Sequence, residues 1–328
     1  MCTALTLKTN EGYHLFGRNM DLEYTFGQQV ILVPRNFKYE DRVNDEIKHT
    51  RYAVMGMGNL VENHPLFADG FNEKGLACAG LNFPQAYWND DIEEGMDNVA
   101  PYDLIFWMLS NFESIEELRP HLERLSMDGK PYTKGMPIAT LHWIISDTTG
   151  KCLVIENTID GLKIFDNPVG VMTNSPSFDW HLTNLTQYAG LHVNRHEAIK
   201  WSRLKLVTLG NGSGAFGLPG DSSSQSRFIK TAFLKSHVNI GDYENAGVVE
   251  FFNILNNVSM INGTVVDPIG RSEITQYTSC MNQEKGIYYY RTYKNSQINA
   301  IDMNKEDLNA KELKVFPYYD KPNFNFEN

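Results

Sequence analysis

Short strand-like runs bounded by turn residues recur along most of this chain, and their grouping limits what it can fold into. Near the N-terminus, residues 3–9 and 13–17 flank Asn10-Glu11-Gly12 as a hairpin, and residues 29–34, 52–58 and the run LACAGLNF follow as strands. Gly75, closing Asn72-Glu73-Lys74-Gly75, suits a turn position with positive φ. Helices come next. Pro101 opens PYDLIFWMLSNF. Ser114 and Glu117 have capping-box spacing at the head of SIEELRPHLERL, where Pro120 strains the interior. Strands return in ATLHWIIS, KCLVIENT and LKIF, and a helical stretch covers residues 178–188. Residues 226–236 and 248–260 show helical apolar spacing before ITQYTSCM, IYYYRTY and SQINAIDM close the chain as strands. No repeat, linker or composition break interrupts this order. It predicts one α+β domain over residues 1–328, with two sheets and helices outside them. Many short antiparallel strands make a parallel doubly wound sheet the poorer reading.

Charge and composition exclude several function classes. The chain has 40 acidic and 29 basic side chains, a net charge of −11, which disfavours nucleic acid and anionic membranes as partners. No apolar run is long enough to insert in a membrane, and no leader with a basic head and apolar body is present, so a cytoplasmic, reducing location is expected. Cys2, Cys78, Cys152 and Cys280 are scattered without a C-x-x-C pair, and the nine histidines show no metal spacing. GNGSGAFGLPGDSSSQ is rich in Gly and Ser but matches neither nucleotide-binding pattern.

Cys2 has a property that the other cysteines lack. Once Met1 is removed, Cys2 carries a thiol with a pKa of ~8.5 and an α-amine at ~7.7–8.0. A nucleophile and a base then share one residue. The ordinary alternative is an idle, frayed terminus. A working Cys2 needs a group to hold the amine, a cation beside the sulfur, and donors for an oxyanion. Residues 17–21 read as a turn after the second hairpin strand, from which Arg18 and Asp21 fold back beside the terminus. Asn82, at the exit of an apolar strand, and Asn174, after Gly170-Val171-Met172, are candidate amide donors. Arg227 interrupts an apolar helical face. Each has a plainer reading: a turn salt bridge for Arg18 and Asp21, turn or capping roles for the asparagines, a snorkelling side chain for Arg227. His142, in LHWII, reads as a satisfied core histidine rather than a papain-type base, so His142→Ala is expected to leave activity largely intact.

The stretches MCTALTL, LFGRNMDLEY, NEKGLACAGLNFP, LHWIISD, FDNPVGVMTNSPSFDW, GLPGDSSSQSRF, EKGIYYYRTY and QINAIDMNKEDL run in order over nearly the whole chain. Together they resemble the choloylglycine hydrolase family, most closely its bile salt hydrolases of gut bacteria, with penicillin V acylases as the neighbouring branch. The resemblance implies an N-terminal nucleophile hydrolase: an αββα sandwich of two stacked antiparallel sheets between helical layers. It implies hydrolysis of the amide joining a bile acid to glycine or taurine, through a thioester and without cofactor or metal. By the same resemblance Cys2 is the nucleophile, Arg18 the arginine near the thiol and Asp21 the orienting aspartate for the amine. Asn82 and Asn174 form the oxyanion site, and Arg227 is the second active-site arginine. Met20, Phe26, Ala68, Met136 and Leu141 are expected to line the steroid site from loops near the nucleophile, with core packing as their alternative. The segment YTKGMPIAT departs from better-known relatives, which leaves glycine against taurine preference open. A homotetramer is also implied. No pro-segment precedes Cys2, so removal of Met1 alone is expected to activate the chain. The competing readings are a penicillin V acylase or other N-acyl amide hydrolase, and a non-catalytic steroid-binding protein. Asn82 within AGLNF favours the bile salt branch, since the penicillin branch often has tyrosine there.

Overall fold

The computed structural model describes residues 1–328 and builds the expected hairpin first. Cys2–Lys8 pairs antiparallel with His14–Leu22, placing Cys2 opposite Met20 and Ala4 opposite Arg18. His14–Leu22 pairs on its other side with Ile274–Asn282, which leads to Ile287–Thr292 and Asn299–Asp302, while Val171–Met172 forms the far edge. These strands make a six-stranded antiparallel sheet. An eight-stranded antiparallel sheet runs in the order Gly161–Asp166, Cys152–Thr158, Leu141–Ser146, Ala77–Asn82, His64–Asn72, Val54–Val61, Gln29–Val33, Lys314–Phe316.

The strand period of two sorts side chains into layers. Ala77, Ala79, Leu81 and Ile144 face the core shared with the six-stranded sheet, whereas Cys78, Trp143 and Ile145 face α1 (Leu104–Asn111) and α2 (Ile115–Leu122). Within His14–Leu22 the same alternation holds. Arg18 reaches across to the carbonyls of Ala68 and Gly80 in the other sheet, and Asn19 points outward to the Leu255 carbonyl. Outside the six-stranded sheet lie α4 (Ser224–His237) and α5 (Ala246–Asn256), with α3 (Phe178–Leu185) packed against α4. The layers run helix, sheet, sheet, helix: the expected αββα sandwich.

Local signals were met with adjustments. Gly75 takes φ +85°. The Ser114 side chain accepts the Glu117 N–H at 3.3 Å, but the Glu117 carboxylate takes the Glu113 N–H, so the capping box is half formed. Pro101 lies in the turn ahead of α1 instead of in its first helical position. Pro120 is accommodated inside the short α2, two residues before its end. Between the sheets, buried Asp69 receives the hydroxyls of Tyr277 and Tyr288, each at 2.6 Å.

Candidate active site

Hairpin register, and not a turn, brings Arg18 to Cys2 and the Asp21 backbone to Met1. The expected turn at 17–21 is strand, because His14–Leu22 continues through it as the central partner of two neighbours. Gly17 marks close strand approach: a Cβ there would lie 2.1 Å from the Ser279 carbonyl oxygen. Arg18, buried opposite Ala4, donates from Nη2 to Cys2 Sγ and is fixed by the Ala68 carbonyl at 3.2 Å and the Gly80 carbonyl. Burial opposes its charge, but Cys2, Tyr277, Asp69 and Asp21 outweigh that and hold its pKa above the ordinary arginine value. The guanidinium therefore sets a fixed positive charge against the Cys2 sulfur.

Asp21 lies on the other face of the same strand. Its Oδ1 accepts the Thr275 hydroxyl at 2.6 Å, and its Oδ2 is buried without a partner. Burial pushes this carboxyl above the usual range, although Arg227, the terminal ammonium, Thr275 and Arg18 pull the other way. Met1 extends the first strand by one residue. Its ammonium donates to the Asp21 carbonyl and to Glu273 Oε2, both at 2.8 Å, and its carbonyl accepts the Asp21 N–H at 3.0 Å.

Asn174 is the hub of the remaining groups. Its Oδ1 accepts the Cys2 N–H at 2.9 Å and Arg227 Nη2 at 2.7 Å, and its Nδ2 donates to the Asn82 carbonyl at 2.8 Å. Arg227, buried in α4, also reaches the Cys2 carbonyl and the Thr3 hydroxyl. Burial lowers its pKa, with Asp21, Cys2 and Glu273 opposing. Of the residues named from the sequence, Arg18, Asn174 and Arg227 bond Cys2 directly. Asn82 joins through its backbone carbonyl on Asn174 while its side chain is exposed, and Asp21 bonds Met1 through its backbone and Thr275 through its carboxylate.

The expected lining residues divide. Met20 pairs directly with Cys2 and its sulfur accepts from Arg18 at 3.3 Å; Ala68 meets Arg18 through its carbonyl; Leu141 pairs with Asn82. These three belong to strands, not loops, because the same pairing that builds the sheets places them. Phe26 packs half-buried on the inter-sheet core, and Met136 sits on an exposed loop. A cavity of about 500 Å³ lies between Asn299–Asp302 and Lys314–Phe316 and shares no lining residue with the Cys2 site. Sequence reasoning missed Glu273, Asp69 with its tyrosines, and the buried Glu156 and His181. All but His181, which lies seven residues from Asn174, are far in sequence from the residues they serve. His142 is buried, as expected, between Glu156 and the Thr173 carbonyl.

Comparison with known proteins agrees with this geometry. A family model described as linear amide C–N hydrolases, choloylglycine hydrolase family, matches residues 2–316. A bile salt hydrolase/transferase of Clostridium perfringens (strain 13 / Type A) is 51% identical over 320 residues, covering 97% of each chain. One of Lactiplantibacillus plantarum is 38% identical over 317 residues, again covering 97% of each. Among solved structures, the C2A mutant of the conjugated bile acid hydrolase from Clostridium perfringens superposes with a TM-score of 0.95 at 49% identity, covering 100% of both chains.

Proposed function

We infer the reaction from one premise: the chain belongs to the choloylglycine hydrolase family of linear amide C–N hydrolases. It hydrolyses the amide of glycine- or taurine-conjugated bile acids, releasing the bile acid and the amino acid. The observation that carries this reading is the convergence of Arg18 on Cys2 Sγ and of Asn174 on Cys2 N, in a chain 51% identical to a bile salt hydrolase/transferase.

The mechanism begins with loss of Met1, which converts the Cys2 amide into an α-amine. Asn174 Oδ1 already accepts from that nitrogen, and the unpartnered Asp21 Oδ2 supplies an anionic partner for it once it is an ammonium. The amine takes the thiol proton while Arg18 stabilises the sulfur, and Sγ attacks the substrate carbonyl carbon. The oxyanion is held at Asn82 and Asn174; Nδ2 of Asn174 uses one N–H on Asn82 and keeps its second. A donor of this kind contributes ~2.7–4 kcal/mol to the transition state. Collapse breaks the C–N bond, and the α-ammonium protonates the departing nitrogen. Water then attacks the thioester, gives its proton to the α-amine, and frees the thiol. Met20, Ala68 and Leu141 form the nearest part of the steroid wall, with Phe26 and Met136 beyond them.

The chain works as a homotetramer in the cytoplasm. An exposed apolar hairpin supports self-association, with Ile199, Trp201 and Leu204 53%, 69% and 63% accessible. Four free, buried cysteines suit a reducing compartment. No helix is long and apolar enough to cross a membrane.

The test is release of free amine from glycocholate, taurocholate and penicillin V by wild type and Cys2→Ala, with the N-terminus established by mass spectrometry. Protein beginning at Cys2 is expected to release glycine or taurine, and Cys2→Ala or Met1-bearing protein to release none. Preferential cleavage of penicillin V would move the chain to the acylase branch. No turnover of any of the three would leave steroid binding without catalysis.

A further inference from the structure

Two buried histidines outside the proposed chemistry grip the Asn174 segment from opposite sides. His142 Nε2 donates to the Thr173 carbonyl at 3.0 Å, and His181 Nε2 donates to the next carbonyl, that of Asn174, at 2.8 Å. Both imidazoles are nearly inaccessible, at 1% and 2%. Each also stacks on a phenylalanine that directly follows a site residue. His142 lies on Phe83, next to Asn82, with ring centroids 4.5 Å apart and planes within 5°. His181 lies on Phe228, next to Arg227, with centroids 4.8 Å apart. The outer nitrogen of His142 meets Glu156 Oε1 at 3.0 Å, and the same carboxylate receives the Phe178 N–H at the head of α3. The end of the Asn174 segment is thus tied to the same pair.

We propose that His142 is a positioning residue that sets the distance between the two arms of the oxyanion site, Asn82 and Asn174. This rests on the reading that those two residues hold the oxyanion. The link from His142 to each arm is one residue long: Thr173 on one side, Phe83 on the other. The direct contact between the arms is a single hydrogen bond, Asn174 Nδ2 to the Asn82 carbonyl. Asn82 is otherwise held by its own sheet and Asn174 by Cys2, Arg227 and Ser224; the stacked ring and the carbonyl clamp on one imidazole add a second link that spans both arms. His142 makes no hydrogen bond to Cys2, so it acts through Asn82 and Asn174 and not on the thiol. His181 fixes the far end of the segment against α4 and completes the clamp. A donor displaced by about 1 Å costs on the order of 10²-fold in rate, which makes the role measurable. The expectation that His142→Ala leaves activity largely intact is revised accordingly.

The experiment measures glycine release from glycocholate by wild type, Cys2→Ala, His142→Ala, His142→Gln, Asn174→Ala and the His142→Ala/Asn174→Ala pair. Alkylation of Cys2 by iodoacetamide, located by peptide mass, is measured alongside. His142→Ala is expected to lower kcat by roughly 10- to 100-fold with KM and the Cys2 alkylation rate little changed. His142→Gln, whose amide N–H reaches towards Thr173, restores part of kcat. In the Asn174→Ala background, His142→Ala costs little more. Unchanged kcat, a parallel loss of alkylation, or fully additive losses would each overturn the proposal. Should His142→Ala not fold, Phe83→Leu keeps the apolar volume but removes the stacked ring. Lower kcat with normal alkylation supports the link, and wild-type kcat sinks it. A wild type that releases no glycine overturns the underlying reaction reading instead, and is recognised because the parent itself is silent.

Discussion

Asp21 carries the least satisfied charge at the site, and its chemistry is testable apart from turnover. One carboxylate oxygen is hydrogen-bonded and the other is buried alone. Burial raises its pKa above the ordinary 3.8. Below that value both folded and unfolded chains hold the proton. As pH rises past it, the unfolded chain ionises first, so stability falls through the window up to the folded value. The Met1-bearing chain is therefore expected to lose melting temperature relative to Asp21→Asn as pH rises above the ordinary carboxyl value, in calorimetry on the two side by side. Removing Met1 places a free α-ammonium on Cys2 near Asp21 and should shrink that difference. The same substitution is expected to lower kcat by about 10²-fold or more, since an unoriented amine is a poorer proton carrier. An Asp21→Asn melting temperature that falls as steeply as the parent's would rule out Asp21 as the source.

At the scale of elements, the hairpin register does most to assemble the site. Cys2, Arg18 and Met20 meet because Cys2–Lys8 and His14–Leu22 pair with Cys2 opposite Met20. Gly17 is the tightest point, since any Cβ would press on the Ser279 carbonyl of the adjoining strand. Gly17→Ala is expected to destabilise by about 1–3 kcal/mol, as overpacking does, and to lower kcat further by shifting Arg18. Denaturant titration and steady-state kinetics check the two effects separately. This register also explains what was legible beforehand. Alternating apolar residues announced the strands, whereas the residues around Cys2 each had a plainer reading taken singly and were named together only through the family resemblance. Their placement was not legible. Residues 17–21 looked like a turn because Gly17, Asn19 and Asp21 are turn-formers, whereas neighbours on both sides hold them extended. Glu156 and Glu273 left no local signal, because their partners are distant: His142 and Phe178 for Glu156, the terminus for Glu273. His181 bonds Asn174 seven residues away across the turn into α3, a pairing that no periodicity announces.

At the scale of the whole molecule, one segment fits poorly with a solitary chain. The hairpin of Ile199–Trp201 and Leu204–Leu206 pairs Trp201 with Leu204 and Ile199 with Leu206 along one face, and three of those four are strongly exposed. Its opposite face pairs Lys200 directly with Lys205, an unfavourable like-charge contact. The chain as a whole carries a net charge of −11. A second copy therefore offers both apolar cover for the tryptophan face and acidic surface for the lysine face, which an anionic membrane would meet only in part, because the rest of the chain is repelled. On the proposed homotetramer, Trp201→Glu combined with Leu204→Glu is expected to give smaller species by light scattering after size exclusion. The chemical residues all lie within one chain, so kcat should survive dissociation. A wild type that is already monomeric, or a double variant that remains tetrameric, would move the association surface away from this hairpin. Activity that vanishes on dissociation while Cys2 still alkylates normally would mean that a neighbouring copy completes the proposed substrate wall beyond Met20 and Leu141.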